Sequence, residues 1–365
     1  MSGNLRTERS TGSGANGADR GNGRRLIRSL IHELDEAIFP SSIYCECCGS
    51  LIDRSRTYSL CDDCIKQFHW ITGRTCGKCG KAMPDTSKGW FCYDCMQEKH
   101  FFRKGFSCLT YGLHERELMM GLKYAGRGYL ARIFGDILYD RMEAEIRSGL
   151  FSPEGESLPG DPRQDQIEAP IELVISVPVS QGRLRKRGYN QSEVMARRLV
   201  QRWQELVREE AAAGTGPVRP GEAAAGTGPV RPGEAAAEAG LERTGIVASG
   251  AGFVHSDDAV SGTGSMPIGR LFPAPVYRSD ILYRTRETQM LRSLNPTERR
   301  MALQGAFAVR KSAQPLLTGK NVLLIDDIYT TGATADACSK ALLEGGAKDV
   351  YLLTLASGGN RKPGQ

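Results

Sequence analysis

Residues 322–334 read VLLIDDIYTTGAT. The apolar run Val322 to Ile325 predicts a short buried strand, and two adjacent carboxylates, Asp326 and Asp327, sit where it ends. A small, hydroxyl-rich turn follows (Tyr329, Thr330, Thr331, Gly332, Ala333, Thr334), and then an alanine-rich helix through about Glu344. A strand, a donor-rich turn and a helix N-terminus together suit an anion, because free backbone amides and the positive end of the helix dipole face it. Gly332 lets the backbone approach closely, and the threonines add hydroxyl donors. The carboxylates repel phosphate and suit sugar hydroxyls, or a metal ion shared with a diphosphate. The plainer reading is an ordinary turn whose acids merely cap a helix. The length of the run and its context favour the anion site.

Working outward, strand and helix patterns alternate. Residues 115–124 and 129–147 read as helices, 172–179 as a strand and 191–207 as a helix. Residues 306–309 read as a short strand, 322–326 as the central one and 350–355 as the last. That alternation predicts an α/β fold, a parallel sheet with helices on both faces. Ligands of such sheets bind beyond the carboxyl ends of the strands, where Asp326 and Asp327 fall.

With 365 residues, 40% of them hydrophobic, the chain has room for two domains and a sizeable core. A net charge of +6 permits a nucleic-acid partner without requiring one. Residues 1–24 form a polar tail with no apolar stretch suited to a signal peptide, and no run approaches the ~18 apolar residues of a membrane span. A cytoplasmic protein is expected. Gly12, Gly14 and Gly17 spell GxGxxG in that tail without a strand before or a helix after, which excludes a dinucleotide fingerprint. Residues 26–39 repeat apolar positions at helical spacing. AAAGTGPVRPGE at 211–222 recurs at 223–234, inside a stretch (209–266) poor in large apolar side chains and predicted to be a disordered insertion. Residues 151–170 read as a second loop.

Nine of the eleven cysteines lie between positions 45 and 95. Their spacing is CxxC four times over, and adding 31 to Cys45, Cys48, Cys61 and Cys64 gives Cys76, Cys79, Cys92 and Cys95. Gly49 maps onto Gly80 and Asp63 onto Asp94. In a reducing compartment this is metal arithmetic: two CxxC knuckles close a tetrahedron around Zn²⁺. The first four thiols are assigned to one structural zinc and the second four to another. Interleaved pairing stays open at this point, with Cys47 spare. Four thiolates leave no open coordination position, so catalytic zinc is not expected. Cys108 and Cys338 read as core thiols. His69 and His100, flanking the module, read as surface residues.

Two basic segments remain. Arg183, Arg185, Lys186 and Arg187 crowd a loop after the 172–179 strand, and Arg284, Arg286, Gln289, Arg292, Asn295, Arg299 and Arg300 form the other. Each follows a strand edge on the side of the phosphate turn, which favours anion contact over a merely solvated face.

The run 322–334 resembles the signature of type I phosphoribosyltransferases. With GLKYAGRGYLAR (121–132), RLRKRGYNQ (183–191), RTRETQ (284–289) and a preceding cysteine module, the chain resembles the ComF family of competence proteins. The resemblance implies a type I phosphoribosyltransferase-like domain over 106–358, after a double four-cysteine zinc module over 40–105. It implies that the 329–334 turn holds the 5-phosphate of phosphoribosyl pyrophosphate (PRPP) and that Asp326 and Asp327, the candidate catalytic pair, grip the ribose hydroxyls. Mg²⁺ would bridge ribose and diphosphate, and the Arg183–Arg187 segment would neutralise pyrophosphate. Two readings stay open: pentosyl transfer to an unidentified acceptor, or a binding module that grips single-stranded DNA through the same basic and phosphate-binding groups, with Tyr124, Tyr129 and Tyr189 as stacking candidates. Either would serve the DNA-uptake machinery.

Overall fold

The computed structural model describes residues 43–53, 56–124, 130–146, 170–213, 247–249, 252–254, 273–288 and 294–359. The tail, the 26–39 repeat, the 151–169 loop, Tyr129, Gln289, Arg292 and most of the 209–266 insertion lie outside them. The chain divides into two compact units, Met1–Leu60 and Cys61–Gln365.

In the first unit, Tyr44 and Leu51 form an isolated antiparallel bridge around a tight turn, and a single 3₁₀ turn covers Thr57–Ser59. In the second, short helices α1 (Asp62–Gln67) and α2 (Tyr93–Gln97) each start directly after a CxxC cysteine.

Strand β1 (Lys104–Thr110) then opens a five-stranded sheet, followed by helices α3 (Leu113–Tyr124) and α4 (Leu130–Glu145) and by β2 (Leu173–Ser176). Helices α5 (Gln181–Arg187) and α6 (Gln191–Ala213) come next, then the short hairpin strands β3 (Val247–Ser249) and β4 (Gly252–Val254), and the edge strand β5 (Val276–Tyr277). Strand β6 (Leu282–Arg284), helix α7 (Pro296–Leu303), strand β7 (Phe307–Val309) and helix α8 (Gln314–Leu317) precede β8 (Asn321–Tyr329), α9 (Ala333–Glu344) and β9 (Asp349–Ser357). The order across the sheet is β1-β9-β8-β2-β5, and every pairing in it is parallel. This is the α/β architecture expected.

β8 is central and covered on both faces, so its apolar run is continuous rather than alternating. Val322, Leu323, Leu324 and Ile325 are all fully buried, each worth roughly 1.5–3 kcal/mol of transfer free energy. Period-two geometry sends Val322 and Leu324 to one face, where they join Leu173, Ile175, Val350 and Leu352 under Cys338 and Leu342 of α9. α4 and α6 pack together over the other face. A Cβ at Gly135 would stand 2.5 Å from Cβ of Arg198, so those two helices meet at a glycine.

Several boundaries differ from expectation. β1 begins at Lys104, where the sequence pattern gives no strand, because it follows the cysteine module without a turn signal. β7, expected in the parallel sheet, pairs antiparallel with β6 in a separate two-stranded ribbon. β8 does not stop at residue 326 but runs on to Tyr329. The basic residues 183–187 lie on a helix, capped by Ser180, whose Oγ accepts from the Arg183 amide, and closed by left-handed Gly188. α6 runs past residue 207 to Ala213, because the alanines beyond Glu210 sustain the helix.

Candidate functional site

Because β8 continues through Ile328, strand alternation turns Asp326 and Asp327 to different sides rather than pairing them on one. Asp327 meets Lys123 of α3, whose Nζ lies 2.5 Å from Oδ2, and the amide of Gln191 at 3.5 Å. Asp326 accepts from the Asp327 amide at 2.9 Å and from the Ser192 hydroxyl at 3.4 Å. Burial first, and then the neighbouring Asp327 charge, push the Asp326 carboxyl up to about 7. The first residues of α6 therefore face the acids. Asn190 anchors that helix start by donating to the Val177 carbonyl at 3.0 Å.

Beyond Tyr329 the chain turns sharply. Gly332 takes φ +79° as N-cap of α9, and no side chain caps the helix. A Cβ there would stand 2.7 Å from the Tyr329 hydroxyl, so glycine is required by conformation and by space alike. A cavity of ≈ 200 Å³ opens at this point, lined by Asp326, Ile328, the run 329–335, Arg299 and Thr354. Every residue of the expected turn, Tyr329, Thr330, Thr331, Gly332, Ala333 and Thr334, borders it. Asp327 does not.

The basic helix α5 lies beside the end of β6, in the β6–β7 ribbon. The Gly182 amide donates to Glu287 at 3.2 Å, and Arg284, stacked 5.1 Å over Phe307, feels the Arg183 charge. Burial first and then Arg183 lower the Arg284 pKa. Arg183, Arg185 and Lys186 are exposed and Arg187 half-buried. Arg300 of α7 is tied to Glu98 at 2.6 Å and reaches the Thr331 carbonyl at 3.4 Å.

The eight assigned cysteines form two quartets in consecutive rather than interleaved order: Cys45, Cys48, Cys61 and Cys64, and Cys76, Cys79, Cys92 and Cys95. Within each, the sulfurs lie within 4.8 Å of one another. Cys79 and Cys92 are 3.6 Å apart, close to the ~3.8 Å edge of a tetrahedron with 2.3 Å Zn–S bonds. The Cys92 amide donates to the Cys76 sulfur at 3.2 Å, and the Cys76 thiol is held well below its ordinary range by hydrogen bonds from Cys79 first, then Cys92 and Cys95. The donor sets fit two structural zinc ions. Cys108 and Cys338 are buried, as expected of core thiols.

Sequence reasoning misplaces His100 and gives no role to Lys123, Gln191, Ser192 or Asp336. The His100 ring is fully buried, not on the surface, and lies 2.9 Å from Asp336 of α9. Tyr189 donates to the Leu122 carbonyl rather than standing free to stack. A signal is present for three of these: GLKY at 121–124 and GYNQS at 188–192 are the segments that converge on the Asp pair.

Comparison with known proteins gives two findings. A family model described as a double zinc ribbon domain matches residues 34–116. A stretch of 36 residues, 10% of this chain, is 61% identical to the protein named Competence protein ComFC of Streptococcus pneumoniae (strain ATCC BAA-255 / R6). That stretch spans 16% of the relative's length. Among the described residues, no helix is long and apolar enough to cross a membrane.

Proposed function

We propose that the chain binds a phosphoribosyl ligand of the PRPP type at the end of β8 and serves DNA uptake in natural transformation. The observation that carries this reading is the cavity beyond β8, bordered by the whole 329–334 turn and by Asp326. The 5-phosphate sits against the uncapped amides of α9 and the threonine hydroxyls, where partial positive charge is fixed in advance. Asp326 takes a ribose hydroxyl. Its raised pKa allows the carboxyl to donate as well as accept near neutrality. Asp327, held by Lys123 and Gln191, fixes the strand end from the far side.

Mg²⁺ belongs to this reading as the counter-ion of the diphosphate, whose charge it neutralises when bound. In its ionised form, which a bound cation favours, Asp326 supplies the oxygen donor such a hard ion takes, whereas Asp327 is already ion-paired. Arg183 and the other bases of α5 then receive pyrophosphate if the bound ligand is cleaved by an acceptor nucleophile, the pentosyl transfer of a glycosyltransferase. The likeness to Competence protein ComFC supports the competence role.

Calorimetry of the zinc-loaded protein with PRPP, with and without Mg²⁺, tests the proposal. Saturable, Mg²⁺-dependent binding that vanishes in the Asp326→Ala, Asp327→Ala double variant is expected, with zinc content unchanged. Affinity retained in that variant defeats the site assignment. The exposed bases Arg183, Arg185 and Lys186 favour a second reading, a non-catalytic grip on single-stranded DNA. Binding of an oligonucleotide that weakens steeply with salt, in a protein indifferent to PRPP, would select it.

A further inference from the structure

We propose that His100 is a positioning residue for the 329–335 turn, holding the Asp336 carboxylate away from the anion cavity. This rests on reading that turn as the phosphate site. Asp336 lies in the first turn of α9, whose opening amides border the cavity. An acid in the first turn stabilises a helix by itself, but beside a bound phosphate its charge repels the ligand.

Asp336 is instead held from behind. His100 Nδ1 contacts both of its oxygens, at 2.9 and 3.1 Å, and the Phe101 amide donates to one of them at 3.2 Å. A ring nitrogen facing two carboxylate oxygens carries its proton there. Asp336 is only 7% exposed and is absent from the cavity lining.

The same imidazole supports the turn directly. Its Nε2 lies 3.5 Å from the Tyr329 hydroxyl, and its Cε1 would stand 2.9 Å from a Cβ at Gly332. Phe102 stacks on its other face, with ring centroids 4.9 Å apart. Residues 98–102 thus form a rear wall for the turn, and Glu98 adds a second tie through Arg300 to the Thr331 carbonyl. His100 closely follows Cys95, the last cysteine of the second quartet, so the zinc module supplies this wall in sequence.

The test compares full-length wild type with His100→Ala, His100→Asn and the His100→Ala, Asp336→Asn double variant. Two quantities are read: affinity for ribose 5-phosphate, and hydrogen exchange of residues 329–336 in the ligand-free protein. His100→Ala should weaken ribose 5-phosphate about tenfold, through repulsion by the freed Asp336 charge, and speed exchange of the turn by a similar factor, through loss of one charge-assisted hydrogen bond. Removing the freed charge in the double variant should recover most of the affinity while leaving exchange fast, a split that lost packing alone does not produce. His100→Asn keeps a donor where Nδ1 stands and should lie near wild type; it carries the test if the alanine variant loses zinc or fails to fold. Unchanged exchange in His100→Ala, or a double variant as weak as the single, overturns the proposal. If wild type ignores ribose 5-phosphate, the phosphate reading fails, and with it the charge argument, while exchange still decides whether His100 holds the turn.

Discussion

The knuckles at 45–51 and 76–82 are the same structure built twice, in different surroundings. The Cys45 amide donates to the Ser50 carbonyl at 2.7 Å and Gly49 to Cys45 at 2.7 Å; the Cys76 amide donates to Lys81 at 2.8 Å and Gly80 to Cys76 at 3.0 Å. Bridges Tyr44–Leu51 and Thr75–Ala82 close the two turns, and the glycines take φ +75° and +72°. Each feature of the first recurs 31 residues on. Yet Cys48 is exposed and Leu51 is 75% exposed, whereas Cys79 is buried in the apolar cluster that also holds Leu324 and Leu352 of the sheet. Local sequence fixes the turn, and the surroundings decide what the turn is worth.

The largest effect should come from the thiols. Cys79→Ser removes a zinc ligand and places a hydroxyl in the sheet's own core, so the α/β unit should lose about 4 kcal/mol or more, read as a fall in urea midpoint. Cys48→Ser should lower zinc content from two to one and leave the midpoint of the α/β transition within about 0.5 kcal/mol. Equal midpoints for the two variants would break the contrast.

The glycines give a finer comparison. An alanine at either position meets the same left-handed penalty, about 1–2 kcal/mol. At Gly49 its Cβ finds nothing within 4 Å, but at Gly80 it stands 2.4 Å from the Gly105 carbonyl oxygen and 2.7 Å from Cα of Phe106. Both are backbone atoms of β1 and cannot turn aside. Gly80→Ala should therefore cost about 2 kcal/mol more than Gly49→Ala, the strain of overpacking. Urea denaturation of the pair measures the difference, and equal losses would mean that β1 can shift.

What is legible in the sequence follows the same division. The repeat, the four CxxC knuckles and the strand–turn–helix at 322–344 are local patterns, and each is readable from spacing, whereas the choice of consecutive over interleaved quartets comes from the fold. Strand limits are not, because Asp326 and Asp327 look like a terminus until Thr354 and Ala356 of β9 pair alongside Asp326 and Ile328 and extend β8. His100 is misread for a related reason. Its partners Asp336 and Tyr329 lie more than 200 residues away, and no local period records a contact of that span. Lys123 and Gln191 stand in segments that the sequence marks out, but their convergence on Asp327 exists only once α3 and α6 have folded over the sheet.

The smallest expected effect lies at a position where the two knuckles differ in charge as well as in packing. Ser50 corresponds to Lys81, which is 3% exposed, pairs with Asp94 at 2.6 Å and lies 5.3 Å over the Tyr329 ring. Asp94 keeps 42% of its side chain in solvent, so losing the ion pair alone costs little. The buried stem and the cation over the ring contribute the rest. Lys81→Ser, which makes the second knuckle like the first, should cost about 1–2 kcal/mol, while Lys81→Met, which keeps the stem, should cost about half as much. Denaturation of both at low and high salt separates the contributions. A methionine variant as weak as the serine one would assign the whole effect to charge, and the packing difference between the knuckles would then stop at the glycine.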